Sequence, residues 1–431
     1  MKLPESFLHF VWDNQLFASQ SLKTTEGTPL QVIDAGTENT NAGADFEAAQ
    51  LRIGEQHWAG NIEIHILPQE WYLHRHHTDP AYDNVILHVV WEDADNIEVR
   101  RSDGSLIPTL VLCDRVPKRV VLQYESFLNA KERIPCQTHF SQVPESKVRE
   151  ALEYALQQRL TRKSNEVLEL LHRNQNDWEE TFYQLLGKGF GLKVNADPFL
   201  DLTRSLPLKL LQKHRNNPLQ VEALLLGQAG FLEDDFTSEY PRKLQAEYRF
   251  LAQKYQLGGQ RLAQKQWKRS RVRPGNTPIV RLLQFGALLR QHQSLFSFAL
   301  EAETIKPLLS LFDNRPTAYW EDHRKPDKLS KSAFPKMGRN TREVILLNTL
   351  IPTFWAYGWR NKQPDYQDKA QQFLRELRAE DNQIIRFWKE DLKLQLHNAA
   401  DTQAGLELYN ESCQKKHCLR CPVGAAILLS V

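Results

Sequence analysis

The sequence predicts an α+β N-terminal domain, a mixed sheet with flanking helices, followed by a mostly α-helical domain. The change falls near residue 144, giving domains 1–143 and 144–431. Two patterns and one asymmetry support this. Up to about residue 135 the apolar residues fall in short runs bounded by Gly, Pro, Asn and Asp, as strands do. From Pro144 onward they recur at helical spacing over long stretches, beginning with ESKVREALEYALQQRLTRKSNEVLELLHRN. Charge divides in the same place. Through Pro144 there are 11 Lys+Arg against 20 Asp+Glu, whereas the remainder carries 44 against 33. Balances of −9 and +11 are thus hidden inside a net charge of +2.

Along the first domain, residues 5–17 predict an amphipathic helix with Phe7, Leu8, Val11, Trp12 and Leu16 on one face. Strands are expected over 30–33, 46–53, 58–66, 84–91, 97–101 and 109–113. A short helix opened by Pro68 and stopped at Asp79-Pro80 lies between the third and fourth. In the second domain further helices are expected at 176–187, 203–215, 218–227, 240–256, 277–292, 301–312, 341–357 and 364–392. At 431 residues and 41% hydrophobic content each part is large enough to bury a core. No run approaches the ~18 apolar residues of a membrane span, and the N-terminus lacks a secretory pattern. Five cysteines, an odd number, do not suit a secreted disulfide scaffold, so a cytoplasmic location is expected.

The segment GADFEAAQLRIGEQHWAGNIEIHI, residues 43–66, carries the chemistry. Strict alternation over Asn61–Ile66 puts three isoleucines on one face and Asn61, Glu63 and His65 on the other. A hairpin turn at Gly54-Glu55 pairs positions summing to 108 or 109, which sets Asp45 across from Glu63 or its neighbour, ~5 Å away. Two carboxylates that close repel unless they share a proton or a cation, and a divalent metal is the natural partner. The competing reading is a turn-capping Asp45 with a solvated Glu63.

Ala44-Asp45 followed by Glu63-Ile64-His65 resembles the PD-(D/E)XK signature of restriction-endonuclease-like nucleases, with Ala44 in the proline position and His65 in that of the lysine. The resemblance implies a restriction-endonuclease-like fold and a metal-dependent nuclease. In it Asp45 and Glu63 bind Mg²⁺ or Mn²⁺, joined by Glu5 of the first helix and the Ile64 carbonyl, and His65 orients the attacking water. The strings NTNAGADF, GNIEIHI, W-x-x-H-x-H, DPAYDNVILHVV and LLLGQAGFL also resemble an uncharacterised bacterial family of about this length, a domain of unknown function.

Six of the 14 histidines lie between His57 and His88. His74 and His77, i,i+3 on the expected short helix, and His88 inside VILHVV form a possible polar site and the basis of a zinc-hydrolase reading. The alternative for each is a surface or hydrogen-bonded core histidine. Cys413, Cys418 and Cys421, spaced C-x4-C-x2-C, with Cys136 as a distant fourth, suggest zinc or an iron–sulfur cluster. Their layout also resembles that of RecB-like and CRISPR-associated nucleases, where such cysteines staple the chain ends. Cys113 reads as core.

Basic residues before the helix at 277–292 make Arg271, Arg273 and Arg281 candidates for holding substrate phosphate, with Arg159, Arg162 and Lys163 as possible additions. A second basic helix start occurs at Lys336–Thr341. Ordinary capping and solvated charge explain either segment alone. No P-loop, dinucleotide fingerprint or nucleophile elbow is present. The expectation is a nucleic-acid phosphodiesterase. Its alternative is an inactive nuclease-like protein that binds nucleic acid or a partner.

Overall fold

The computed structural model describes residues 3–93, 95–270 and 272–430. The chain divides into two compact units, 1–152 with 408–431, and 153–407. The expected boundary at 144 thus lies nearer 152, inside helix Glu145–Arg173. The C-terminal cysteine segment, expected in the helical domain, belongs instead to the first unit.

The first unit is built on a mixed sheet. Its strands are β1 (Leu30–Asp34), β2 (Thr37–Glu38), β3 (Phe46–Ile53), β4 (Gln56–His65), β5 (Val85–Val90) and β8 (Thr109–Val111), in the order β1-β3-β4-β5-β8 with β2 also against β3. Short strands β6 (Val99–Arg100) and β7 (Leu106–Ile107) form a separate ribbon. The meander β1-β3-β4 is antiparallel, whereas β5 runs parallel to both β4 and β8. All six residues of β5 are buried, as the unbroken apolar run VILHVV requires of a strand covered on both faces. Helix α1 (Glu5–Asp13) buries Phe7, Leu8, Phe10, Val11 and Trp12 and lies against β4. It ends four residues earlier than the periodicity suggests. Helix α3 (Lys118–Asn129), which the sequence reading did not single out, packs Tyr124 onto Phe7 with ring centroids 4.8 Å apart.

The β3–β4 hairpin changes register halfway. From Ile53↔Gln56 to Ala49↔Gly60 the paired numbers sum to 109, but Phe46 pairs with Ile62, a sum of 108. One extra residue is therefore accommodated in β3, and Ala48 takes a left-handed conformation, φ +59°. The same place marks a change of neighbour, since β3 pairs with β1 through Gln50 and with β2 from Glu47 onward. Gly36, at φ +87°, lets the incoming chain cross here. A Cβ on it would stand 2.6 Å from the Glu47 carbonyl oxygen.

The helical unit has its own core, which includes Tyr183, Phe190, Phe199, Phe285, Trp320 and Phe354. Several expected helices are interrupted where local chemistry demands it. The run at 203–215 breaks at Pro207 into Leu192–Ser205 and Leu208–His214, and that at 364–392 ends its first part at Glu376. A buried carboxylate anchors three elements. Glu222 accepts hydrogen bonds from Trp320 Nε1 (2.7 Å), Tyr240 Oη (2.9 Å), the Thr317 N–H (2.9 Å) and Thr317 Oγ1 (3.0 Å). Glu222→Leu leaves these buried donors without an acceptor and is expected to cost about 3 kcal/mol in urea unfolding, with Glu222→Gln milder; equal effects would show that the site is only packed volume.

Among the described residues no helix is long and apolar enough to cross a membrane.

Candidate functional site

The bulge at Ala48 decides which carboxylates meet. In the register of the turn-proximal half, Asp45 would fall across from Ile64 and on the opposite face from Glu63. The extra residue moves it across from Glu63. The two are then locked reciprocally: the Asp45 N–H donates to Glu63 Oε2 at 3.2 Å, and the Ile64 N–H donates to Asp45 Oδ2 at 2.9 Å. Asp45 is half-buried and Glu63 buried.

Glu5, at the start of α1, completes an acidic group. Burial and the Asp45 charge raise its carboxyl from the ordinary range to about 7, with Glu70 and Glu63 contributing. Burial raises Glu63 too, and Asp45 adds to it against the opposing hydrogen bond from His76. His9 stands one turn on from Glu5, with Nε2 3.5 Å from Asp45 Oδ2. Burial disfavours its charge, but Asp45 and Glu5 outweigh this and raise its pKa. These oxygens retain lone pairs beyond their backbone bonds, and their mutual repulsion is what a hard divalent cation would cancel. Asp45, Glu63 and Glu5 offer hard oxygen donors, although among the described residues they are not a group whose ligand atoms all lie within 4.8 Å of one another.

The histidines form a chain beside this group. His65 Nδ1 lies 2.8 Å from His88 Nε2, and His65 Nε2 lies 3.1 Å from His74 Nδ1. His88 Nδ1 is buried with no hydrogen-bond partner. An unmet acceptor is the cheaper state for an imidazole nitrogen there, so the proton of His88 sits on Nε2 and points at His65. His65 then donates from Nε2 to His74, which is exposed. The chain thus runs from core to solvent with one direction of donation. Burial and the neighbouring imidazoles push His65 down to about 2, and burial with His76 pushes His88 down to about 3. His65 is therefore a neutral ring.

His76, not His77, joins the group. The expected helix is only Glu70–Leu73, where Glu70 Oε2 clamps the Ile66 and Leu67 N–H groups at 2.9 Å each. The chain then turns through Arg75 at φ +64°. Helical i,i+3 spacing no longer applies, and His76 Nε2 comes within 3.2 Å of Glu63 Oε1 while its ring packs on Tyr82. His77 packs against Tyr72 instead. Among the described residues, the ligand nitrogens of His65, His74 and His76 lie mutually within 4.8 Å. An extended W-x-x-H-x-H reading, rather than a helical one, would have found His76.

The basic candidates belong to the helical unit. Arg281 is buried, bonded to Gln284 Oε1 at 2.8 Å and to Asn276, and burial lowers it to about 10. All of Pro278–Leu289 is buried, so the expected exposed helix start is absent, and the Arg281 Nε is buried without a hydrogen-bond partner. Arg273 is exposed, and Arg271 lies outside the described residues. Arg159 and Arg162 are drawn to buried Glu407, with Arg162 Nη2 2.6 Å from Oε2, and Lys163 pairs with Glu166 at 2.8 Å. Arg339 of the second basic helix start pairs with Glu343 at 2.9 Å.

Cys136, Cys418 and Cys421 are buried and Cys413 half-buried. None forms a disulfide. Cys113 follows β8 and is half-buried apart from them.

A family model described as "Protein of unknown function (DUF2851)" matches residues 5–383. The chain belongs to this family. The match spans the carboxylates and the histidine chain, and the DUF2851 segment ends before Cys413. Comparison with curated proteins found no match, and neither did comparison with solved structures.

Proposed function

We propose that this DUF2851 protein is a metal-dependent phosphodiesterase acting on nucleic acid, with a restriction-endonuclease-like first unit. The observation that carries this reading is the reciprocal lock of Asp45 and Glu63 across a bulged hairpin, with Glu5 delivered by the preceding helix. The order of helix, antiparallel meander, short helix and parallel strand β5 is in keeping with that fold. A bound Mg²⁺ or Mn²⁺ would polarise the phosphate and acidify water. Asp45 and Glu63 orient that site, and the neutral His65 holds its neighbours in fixed tautomers. Glu5, titrating near neutrality, is suited to take the proton of the attacking water, the role the signature gives its lysine. Arg273 and Arg281 belong to the other unit, and Arg281 is buried there.

The test is cleavage of end-labelled single- and double-stranded DNA and RNA with Mg²⁺ or Mn²⁺ and with EDTA. Because the deprotonated Glu5 is the acting form, the rate is expected to rise with pH and then level off, with its inflection below the metal-free value of about 7 because the bound cation favours the charged carboxyl. Glu5→Gln is expected to lower the plateau by ~10²-fold or more and remove that inflection; an unchanged profile would assign the base elsewhere. Nucleic-acid binding in low salt without any cleavage would favour the inactive, binding reading, for which the missing lysine speaks.

A second reading has its own observation, the three clustered ring nitrogens of His65, His74 and His76 beside Glu63. Zinc held there would replace the set His74, His77 and His88 of the sequence analysis. Zinc binding abolished by His74→Ala but untouched by Asp45→Asn would favour it.

A further inference from the structure

We propose that Cys136, Cys413, Cys418 and Cys421 hold an iron–sulfur cluster that fastens the C-terminal segment to the loop following α3. The four residues come from two stretches far apart in sequence, and polar contacts bring those stretches together. Gln414 Nε2 donates to the Arg133 carbonyl at 3.0 Å, Arg133 Nε reaches Tyr409 Oη at 3.4 Å, and Lys416 Nζ bonds the Leu128 carbonyl. Three of the cysteines open tight turns. The His139 N–H returns to the Cys136 carbonyl (3.0 Å), that of Lys416 to Cys413 (3.1 Å) and that of Cys421 to Cys418 (3.2 Å). Such turns curl the following N–H groups back toward the side chain that opens them.

Cys421 is the N-cap residue of the C-terminal helix Pro422–Leu429, with Val423 and Gly424 at the second and third helical positions. Gly424 is required for this arrangement, since a Cβ there would lie 2.2 Å from the Cys418 carbonyl oxygen. Cys413 lies within electrostatic reach of Cys136, Cys418 and Cys421, and Cys136 within reach of Cys418 and Cys421, so the four share one environment.

Spacing separates the two metals that four cysteines commonly hold. In a zinc tetrahedron with bonds of ~2.3 Å the sulfurs stand ~3.8 Å apart. Here no three of the sulfurs lie within 4.8 Å of one another, the histidine trio being the group that meets this limit among the described residues. A wider set suits a polynuclear cluster, whose thiolates bind different irons. The C-x4-C-x2-C spacing with one distant cysteine agrees.

The test is metal and sulfide analysis of the full chain purified without oxygen. The expected result is a brown protein with a broad visible absorption, more than one iron per chain and inorganic sulfide in matching amount. Cys421→Ser and Cys136→Ser should lose most of the iron, and Cys113→Ser should keep it. Stoichiometric zinc without sulfide overturns the cluster. So does a metal-free wild type that takes up neither iron nor sulfide on anaerobic reconstitution. Analysis of the wild type decides the matter even where the serine variants fail to fold.

Discussion

In EDTA at pH 8, the Glu63→Gln protein is expected to be more stable than the wild type and to have lost metal-dependent cleavage. The sign follows from linkage. Burial, and then Asp45, raise the folded-state pKa of Glu63 above its unfolded value. Above both values the group is charged in either state, and each unit of upward shift costs the fold about 1.4 kcal/mol. Glutamine removes the charge and keeps an oxygen for the Asp45 N–H. Relief also reaches Glu5, whose carboxyl is raised in part by Glu63. Adding Mn²⁺ should reverse the order, because a cation that binds only the folded wild type stabilises it by mass action. Urea titrations of both proteins, with and without metal, check this. A variant weaker than wild type in EDTA would mean that Glu63 is held by favourable pairing, and the metal-site reading would lose its physical basis.

Acid should destabilise the first unit steeply, and His88 should be responsible for a measurable share. His65 and His88 fold as neutral rings, pushed to about 2 and about 3, while the unfolded chain binds protons at the ordinary value of 6.5. Groups lowered in this way stabilise the fold above 6.5 and lose that contribution as pH falls toward the folded values. Glu5 opposes the trend between about 7 and 4.5, and Glu63 does so above 4.5, because their raised carboxyls take up protons on folding. Below about 4.5 the carboxyls are protonated in both states and the opposition ends. The steep loss therefore lies between about 4.5 and 3, near 2.7 kcal/mol per pH unit for the two rings together. His88→Leu is expected to halve this slope, at the cost of leaving His65 Nδ1 without its partner. Unfolding free energies at several pH values, compared between the two proteins, are the measurement. Parallel curves would show that His88 is charged in the fold.

Much of this was legible before the structure, and the misses have physical causes. The strand runs are readable because period-2 alternation and apolar content reflect burial directly. The pairing of Asp45 with Glu63 follows from arithmetic on one turn, although only the bulge makes the sum come out at 108. His76 was passed over because His74 and His77 are neighbours on a helix, and nothing in EWYLHRHHT announces that Arg75 takes a left-handed turn. Arg281 was expected on a phosphate-binding surface because a charge in a basic stretch looks solvated, yet it is buried with Asn276 and Gln284 as partners of its Nη atoms. Glu222, Glu343 and Glu407 escaped notice for the same reason: a buried carboxylate is recognised by its donors, and those lie far away in sequence.

The extra residue at Ala48 has a consequence for how this chain can vary. A strand is a two-state clock, with each residue advancing it half a cycle from core to surface. The bulge inserts one tick, so the two halves of β3 keep opposite time while sharing one hairpin. Substitutions anywhere along the strand leave the phase intact, but losing or gaining one residue between Asp45 and Ala49 inverts it and turns Asp45 away from Glu63. In relatives of this chain, the count of residues in that stretch should therefore be held more tightly than their identities, and a change in the count would mark a member that has abandoned the site even where every acidic residue is kept.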